Sequence, residues 1–251
     1  MVGIYLSGTG NTKYCVKLLS ELLEPECETV SLGDKMALEK IKSNDVILFG
    51  YPVHFSDVPY MAEDFINSNA SLWKDKKIIC LATADNEEEN GAFYGIKLLK
   101  EHGSQILGGI NIKMPNCVCD IKYKEETEEE KENTINKATE KIKLTAEKIK
   151  CGIYPHNELL PLSHKENVFW KNFKTYGYTD KVKIKGICVD CGICVDICPM
   201  KNIYFKNGSV RAGKNCTMCY GCVNSCPKKA ITVLGENVYE QYGIEKYLKN
   251  F

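Results

Sequence analysis

Eight cysteines close to the C-terminus form two runs, Cys188-x2-Cys191-x2-Cys194-x3-Cys198 and Cys216-x2-Cys219-x2-Cys222-x3-Cys226, each followed by proline. The second run repeats the first 28 residues later, and the register extends to Ile203 and Ile231. Thiolates at these intervals are the ligand set of paired [4Fe–4S] clusters, in which the fourth cysteine of each run serves the other cluster. One cluster would then take Cys188, Cys191, Cys194 and Cys226, and the other Cys216, Cys219, Cys222 and Cys198. Zinc usually takes its four ligands as two C-x2-C pairs, and a disulfide scaffold belongs to small exported chains. Three cysteines in one tight loop, twice over, fit neither pattern well. The chemistry expected at this end is one-electron transfer.

A second chemical signal lies at the other end, in Ser7-Gly8-Thr9-Gly10-Asn11-Thr12. It follows a short apolar run and fits [ST]-x-T-G-x-T, a turn whose hydroxyls and backbone N–H groups converge on an anion at a helix N-terminus. The dinucleotide pattern G-x-G-x-x-G fails because position 13 is Lys13, and G-x4-G-K-[ST] does not occur. A phosphate is the expected guest.

These signals need a scaffold. Over the first 113 residues, apolar runs at Val2–Leu6, Glu28–Leu32, Asp45–Tyr51, Lys77–Thr83 and Ile106–Lys113 alternate with helical patterns. The helices are expected near Thr12–Leu23, Lys35–Lys42, Val58–Ser68 and Gly91–Glu101. Such alternation predicts an α/β, doubly wound, five-stranded parallel sheet in the order 2-1-3-4-5. An acidic run at Glu125–Glu132 leads into Ile135, Ile142 and Ile149, which predicts a last amphipathic helix closing the sheet. Residues 1–150 are read as one domain and 151–180 as a connector. Residues 181–235 are read as a small α+β cysteine-rich domain, and 236–251 as a helical tail. In the connector, Phe169, Trp170, Phe173, Tyr176 and Tyr178 are expected to pack between the domains.

Composition narrows the setting. The chain of 251 residues is 44% hydrophobic and 26% charged, as ordinary globular proteins are. No apolar stretch is long enough for a membrane span, and Met1–Leu6 lacks the basic start of an export signal. Fourteen cysteines then point to a reducing cytoplasm. Cys15, Cys27, Cys80, Cys117, Cys119 and Cys151 are expected to be small core residues or free thiols. Residues 1–150 hold 19 lysines against 25 acidic residues, a net of −6. Residues 181–235 hold nine lysines and arginines against Asp190 and Asp196, a net of +7. With no helix-turn-helix or aromatic-basic platform, the basic module is expected to meet an acidic protein surface and not nucleic acid.

The phosphate turn, with the loops after the third and fourth strands, resembles the flavodoxins. That resemblance implies FMN, with its phosphate on Ser7, Thr9, Gly10, Asn11 and Thr12. It implies flavin contacts from Tyr51, Pro52, Val53, His54 and Phe55 in one loop and from Thr83, Ala84, Asp85, Gly91 and Tyr94 in the other. The Asp85–Asn90 loop departs from the family by lacking an aromatic for the outer flavin face. The whole chain resembles the flavodoxin–ferredoxin fusion proteins of anaerobic bacteria, the EFR-type ferredoxins, whose second part is ferredoxin-like. The segments Gly50-Tyr-Pro-Val-His54 and Gly108-Gly-Ile-Asn-Ile-Lys-Met-Pro-Asn116 share in the match. The resemblance implies a cytoplasmic redox protein carrying FMN and two [4Fe–4S] clusters; the leading expectation is electron transfer between them, with a redox protein such as a ferredoxin or an oxidoreductase as partner. The alternative is a flavin-dependent reductase of a small acceptor, fed through the clusters, with His54 or Tyr51 as proton donor.

Overall fold

The computed structural model describes residues 1–54, 57–86, 91–122, 126–155 and 181–248. Two compact units emerge. The first takes Met1–Ser7, Asn11–Pro115 and the chain from Thr127 onward; the second takes Gly8–Gly10, Asn116–Glu126 and the cysteine-rich C-terminal region.

In the first unit, strands β1 (Val2–Tyr5), β2 (Glu28–Ser31), β3 (Val46–Pro52), β4 (Lys77–Ala84) and β5 (Gln105–Lys113) form one sheet. Its order is β2-β1-β3-β4-β5, and every pairing is parallel. Helices α1 (Asn11–Leu23), α2 (Ala37–Lys42), α3 (Tyr60–Ser68), α4 (Gly91–Glu101) and α5 (Glu128–Lys150) complete it. The predicted strands and helices stand within a residue or two of these bounds. β3 and β4 are buried along most of their length, as the central strands of a sheet covered on both faces must be.

α5 shows how sequence becomes packing. Thr127 and Glu130 form a reciprocal cap, Glu130 N–H donating to Thr127 Oγ1 at 3.1 Å and Thr127 N–H to Glu130 Oε2 at 2.7 Å. Glu128, Glu129 and Glu130 fill the first turn, where the helix dipole favours negative charge. Ile135, Ala138, Ile142, Ala146 and Ile149 then bury one stripe of the helix. Tyr14 of α1 reaches Thr139 of α5 with a 2.6 Å hydrogen bond between hydroxyls.

The second unit follows the sequence repeat. A two-strand ribbon pairs Lys183–Ile184 with Ile231–Thr232, and a hairpin pairs Ile203–Lys206 with Ser209–Ala212. The hairpin turns on Asn207-Gly208, both at positive φ (53° and 76°), as a two-residue loop with right-handed twist requires. Short helices Ile193–Asp196 and Gly221–Asn224 each carry the third cysteine of a run.

The tail departs from expectation. Between residues 236 and 248 the regular element is a single 3-10 turn, Ile244–Lys246, and no α-helix forms among the described residues. The reason lies in where its donors go. Tyr239 N–H bonds Cys119 O, Tyr242 N–H bonds Asn224 Oδ1 and Ile244 N–H bonds Thr9 O, so none is left for a carbonyl four residues back. Phe55, the acidic run 87–89, Glu125, the greater part of the connector with its five aromatics, and the last residues of the tail lie outside the described residues.

Candidate iron–sulfur and flavin sites

In the cysteine-rich unit, two hollows separate the eight thiols into two sets. Cys188, Cys191, Cys194 and Cys226 line one, with Val189, Ile193, Val210 and Ile231. Cys198, Cys216, Cys219 and Cys222 line the other, with Ile197, Met200, Ile203 and Val233. Each hollow therefore takes three cysteines from one run and the fourth from the other. Electrostatic coupling follows the partition in the main, with Cys194 reaching across to Cys222. Burial pushes the Cys194 thiol up to about 11, and Cys188, Cys226 and Cys191 act on it in the same direction. Burial pushes Cys219 up to about 12, seconded by Cys216, Cys198 and Cys117. Burial also raises Cys222, followed by Cys219, Cys216, Cys198 and Cys194.

Burial makes Cys194, Cys216, Cys219 and Cys222 resist ionisation, and cationic iron is what would reverse that. Among the described residues, no three Cys, His, Asp or Glu side chains converge on the point a single metal ion would occupy.

The backbone is built to present these sulfurs. Asp190, Gly192 and Lys201 in the first run, and Met218, Tyr220 and Lys229 in the second, all have positive φ. Each residue of the second trio lies 28 positions after its counterpart, so the chain turns the same way around both sets. Cys198 Sγ accepts from Asn202 N–H at 3.2 Å, and Cys226 Sγ accepts from Ala230 N–H at 3.3 Å, again equivalent places. Met218 N–H donates to Cys216 Sγ at 3.2 Å. Such N–H···S bonds stabilise thiolate charge and tune cluster potential.

Two residues of this region carry no sequence signal of a site. Asp120 is 2% exposed and accepts from Tyr220 Oη–H at 2.8 Å. Tyr220 stands where the first run has Gly192, and that mismatch is the only hint the repeat offers.

The C-terminal ends of β1, β3 and β4 carry the other candidate site, at the point where strand order reverses and doubly wound sheets bind ligands. α1 begins at Asn11 and has no acidic residue in its first turn, which leaves its N-terminus open to an anion. Thr9, Asn11 and Thr12 are buried, and Gly10 takes φ of 91° to make the turn. Thr12 Oγ1 lies 2.8 Å from Thr83 Oγ1, so the end of β4 braces the start of α1. Asn11 Nδ2 donates to Pro115 O at 3.0 Å. Near Gly10, a built Cβ would come within 3.1 Å of Glu245 Oε1, an exposed carboxylate that opposes an anion there.

The two loops lie side by side, with Pro52 opposite Thr83 in the ladder and Val53 N–H bonding Thr83 O at 2.8 Å. His54 and Asp57 exchange two backbone hydrogen bonds of 3.0 Å. Ala84 pairs with Lys113, while Asp85 is exposed. Gly91 is buried against Val53, whose Cγ2 would meet an added Cβ at 2.1 Å. Tyr94 is half-buried, edge-to-face with Phe93.

Tyr51 corrects the expectation of a flavin-edging ring. It is wholly buried, its hydroxyl donating to Gly91 O at 2.5 Å and accepting from Gly95 N–H at 2.9 Å. Strand alternation sends this side chain under the second loop, where it supports the start of α4 and presents no face or proton to a ligand. Of the six remaining cysteines, Cys15, Cys80 and Cys119 are buried, Cys27 and Cys117 half-buried, and Cys151 exposed.

Strand order, loop placement and the two thiol sets define a flavodoxin-like fold carrying a cysteine-rich, ferredoxin-type module. Residues 3–119 match the family model described as flavodoxin domain, and residues 180–227 match the 4Fe-4S dicluster domain. The chain thus carries a flavodoxin domain followed by a 4Fe-4S dicluster domain, the composition of an electron-transfer iron–sulfur flavoprotein. No curated protein matches it. Among solved structures it is similar to two-electron reduced Megasphaera elsdenii flavodoxin, at 24% identity over 45% of this chain and 85% of that one, TM-score 0.41. Oxidised flavodoxin 2 from Bacillus cereus matches at 22% over 60% and 97%, TM-score 0.44. Fusobacterium nucleatum flavodoxin bound to flavin mononucleotide matches at 15% over 61% and 98%, TM-score 0.42.

Proposed function

We propose that this chain is a cytoplasmic electron carrier of the EFR type, holding two [4Fe–4S] clusters and one FMN and exchanging low-potential electrons with a redox protein such as a ferredoxin or an oxidoreductase. One observation carries the proposal: two separate hollows, each lined by four cysteines drawn three and one from the two runs. That arrangement supports Cys188, Cys191, Cys194 and Cys226 as ligands of one cluster. Cys216, Cys219, Cys222 and Cys198 are the ligands of the other.

When bound, the clusters supply one-electron transfer, and FMN supplies exchange between one- and two-electron chemistry. The chain's own residues do the rest. The apolar side chains of each hollow flank the thiols, and the N–H groups of Asn202 and Ala230 hold sulfur lone pairs in place. The N-terminal turn offers Ser7, Thr9, Gly10, Asn11 and Thr12 to the FMN phosphate. Pro52, Val53, His54 and Phe55, with Thr83, Ala84, Asp85, Gly91 and Tyr94, form the flavin-flanking loops of this reading. No helix of the described residues is long and apolar enough to cross a membrane.

The test is an anaerobic reductive titration of the loaded protein, with reduced ferredoxin, NADH and NADPH compared as donors. Rapid bleaching of both cluster and flavin absorbance by reduced ferredoxin, and slow response to both nicotinamides, is the expected result. Fast, saturable reduction by NADH or NADPH alone would replace the carrier with a dehydrogenase.

A further inference from the structure

Asp120 enters the cysteine-rich unit on the segment that follows β5. Its carboxylate is buried, and among the described residues its hydrogen-bond partners are neutral donors. Tyr220 Oη–H bonds Oδ1 at 2.8 Å, while Val233 and Leu234 N–H bond Oδ2 at 2.5 and 3.0 Å. Three donors and no acceptor define an ionised carboxylate. Gly235 makes room for it: a Cβ there would fall 1.5 Å from Asp120 O. The nearby cation is Lys229, close enough to act on Cys119 but with its ammonium given to Tyr239 O at 2.5 Å.

Tyr220 connects this carboxylate to the iron–sulfur ligands. It sits between Cys219 and the helix that carries Cys222, and its left-handed backbone (φ 59°) is the N-cap of that helix. The first run has Gly192 at this place and nothing to reach a distant carboxylate. Its own acid, Asp190, is half-buried, accepts from Val210 N–H at 2.7 Å and meets Cys188 Sγ at 3.7 Å, so it acts on its run directly and not through an aromatic hydroxyl.

We propose that Asp120 is a positioning residue that fixes the Cys219–Cys222 turn through Tyr220 and, by its buried charge, lowers the reduction potential of the cluster on Cys216, Cys219, Cys222 and Cys198. The inference rests on the two-cluster reading above. An electron added to a cluster is repelled by a fixed negative charge in a medium of low dielectric, and cluster potential follows local charge.

The test is a redox titration of the full, loaded chain followed by electron paramagnetic resonance, in wild type, Asp120→Asn and Tyr220→Phe. Asp120→Asn removes the charge and should raise one cluster transition while leaving the other in place. Tyr220→Phe keeps the charge but removes a donor that offsets it, so the same transition should move down. Loosening of the turn alone would admit water and shift both variants in one direction, which overturns the proposal, as does no shift in either. Should Asp120→Asn fail to hold a cluster, Tyr220→Phe decides by the sign of its shift: downward supports the proposal, and upward or none overturns it. Wild type with fewer than two cluster transitions would instead sink the two-cluster reading itself.

Discussion

Gly192 and Tyr220 hold the same left-handed backbone at equivalent places in the two cysteine runs, with φ of 84° and 59°. Glycine adopts that region freely, whereas a residue with a Cβ is strained there by about 1–2 kcal/mol. Phe205 Cζ would lie 3.3 Å from a Cβ on Gly192, tight but yielding because Phe205 is exposed. Gly192→Ala should therefore cost about 1–2 kcal/mol, nearly all of it backbone strain. Tyr220→Gly relieves that strain but removes a buried aromatic, which costs about 3–5 kcal/mol. Anaerobic thermal unfolding of the loaded protein should show both variants destabilised, Tyr220→Gly more. A Tyr220→Gly variant as stable as wild type would mean that the Asp120 bond contributes nothing.

The paired hydroxyls of Thr12 and Thr83 separate phosphate binding from scaffolding. If the Thr12 hydroxyl also serves the FMN phosphate, Thr12→Val loses a bond to a charged group worth about 1.5–3 kcal/mol. FMN affinity should then fall at least tenfold. Thr83→Val, losing only the neutral partner, should weaken FMN much less. Fluorescence titration of the flavin-stripped chain measures both, and equal losses would make Thr12 a brace only.

Glu245 lies beside Gly10, where it would oppose the phosphate of the proposed FMN site. It is exposed, so water screens it and the effect is modest. Glu245→Gln should tighten FMN binding by a few-fold at low salt, with the gain fading as salt rises. Weaker binding in this variant would mean that Glu245 supports the turn and does not repel its guest.

Much of this was legible in the sequence, for identifiable reasons. Iron ligation is written in contiguous residues, so the spacing of Cys188 to Cys198 and of Cys216 to Cys226 needs no tertiary information. The buried stripe of α5 is equally local, since Ile135, Ile142 and Ile149 recur at helical intervals. Tyr51 was misread because β3 is apolar on both faces, and such a strand does not reveal which residues point under a neighbouring loop. Asp120 was invisible for another reason: its partner is 100 residues away, and a single long-range hydrogen bond leaves no periodicity to find. The tail misled because tyrosines near a terminus suggest an amphipathic helix, whereas Gln241, Tyr242 and Ile244 are bound individually to the chain around Asn224 and Thr9.

The central claim is that eight thiols, four from each run, hold two four-iron cubes. Metal and sulfide analysis of anaerobically prepared protein tests it most directly. The account predicts about eight iron and eight sulfide per chain, and loss of close to half of each in a Cys226→Ser variant, with the surviving cluster lined by Cys198, Cys216, Cys219 and Cys222. Stoichiometric zinc without sulfide in the wild type would contradict it.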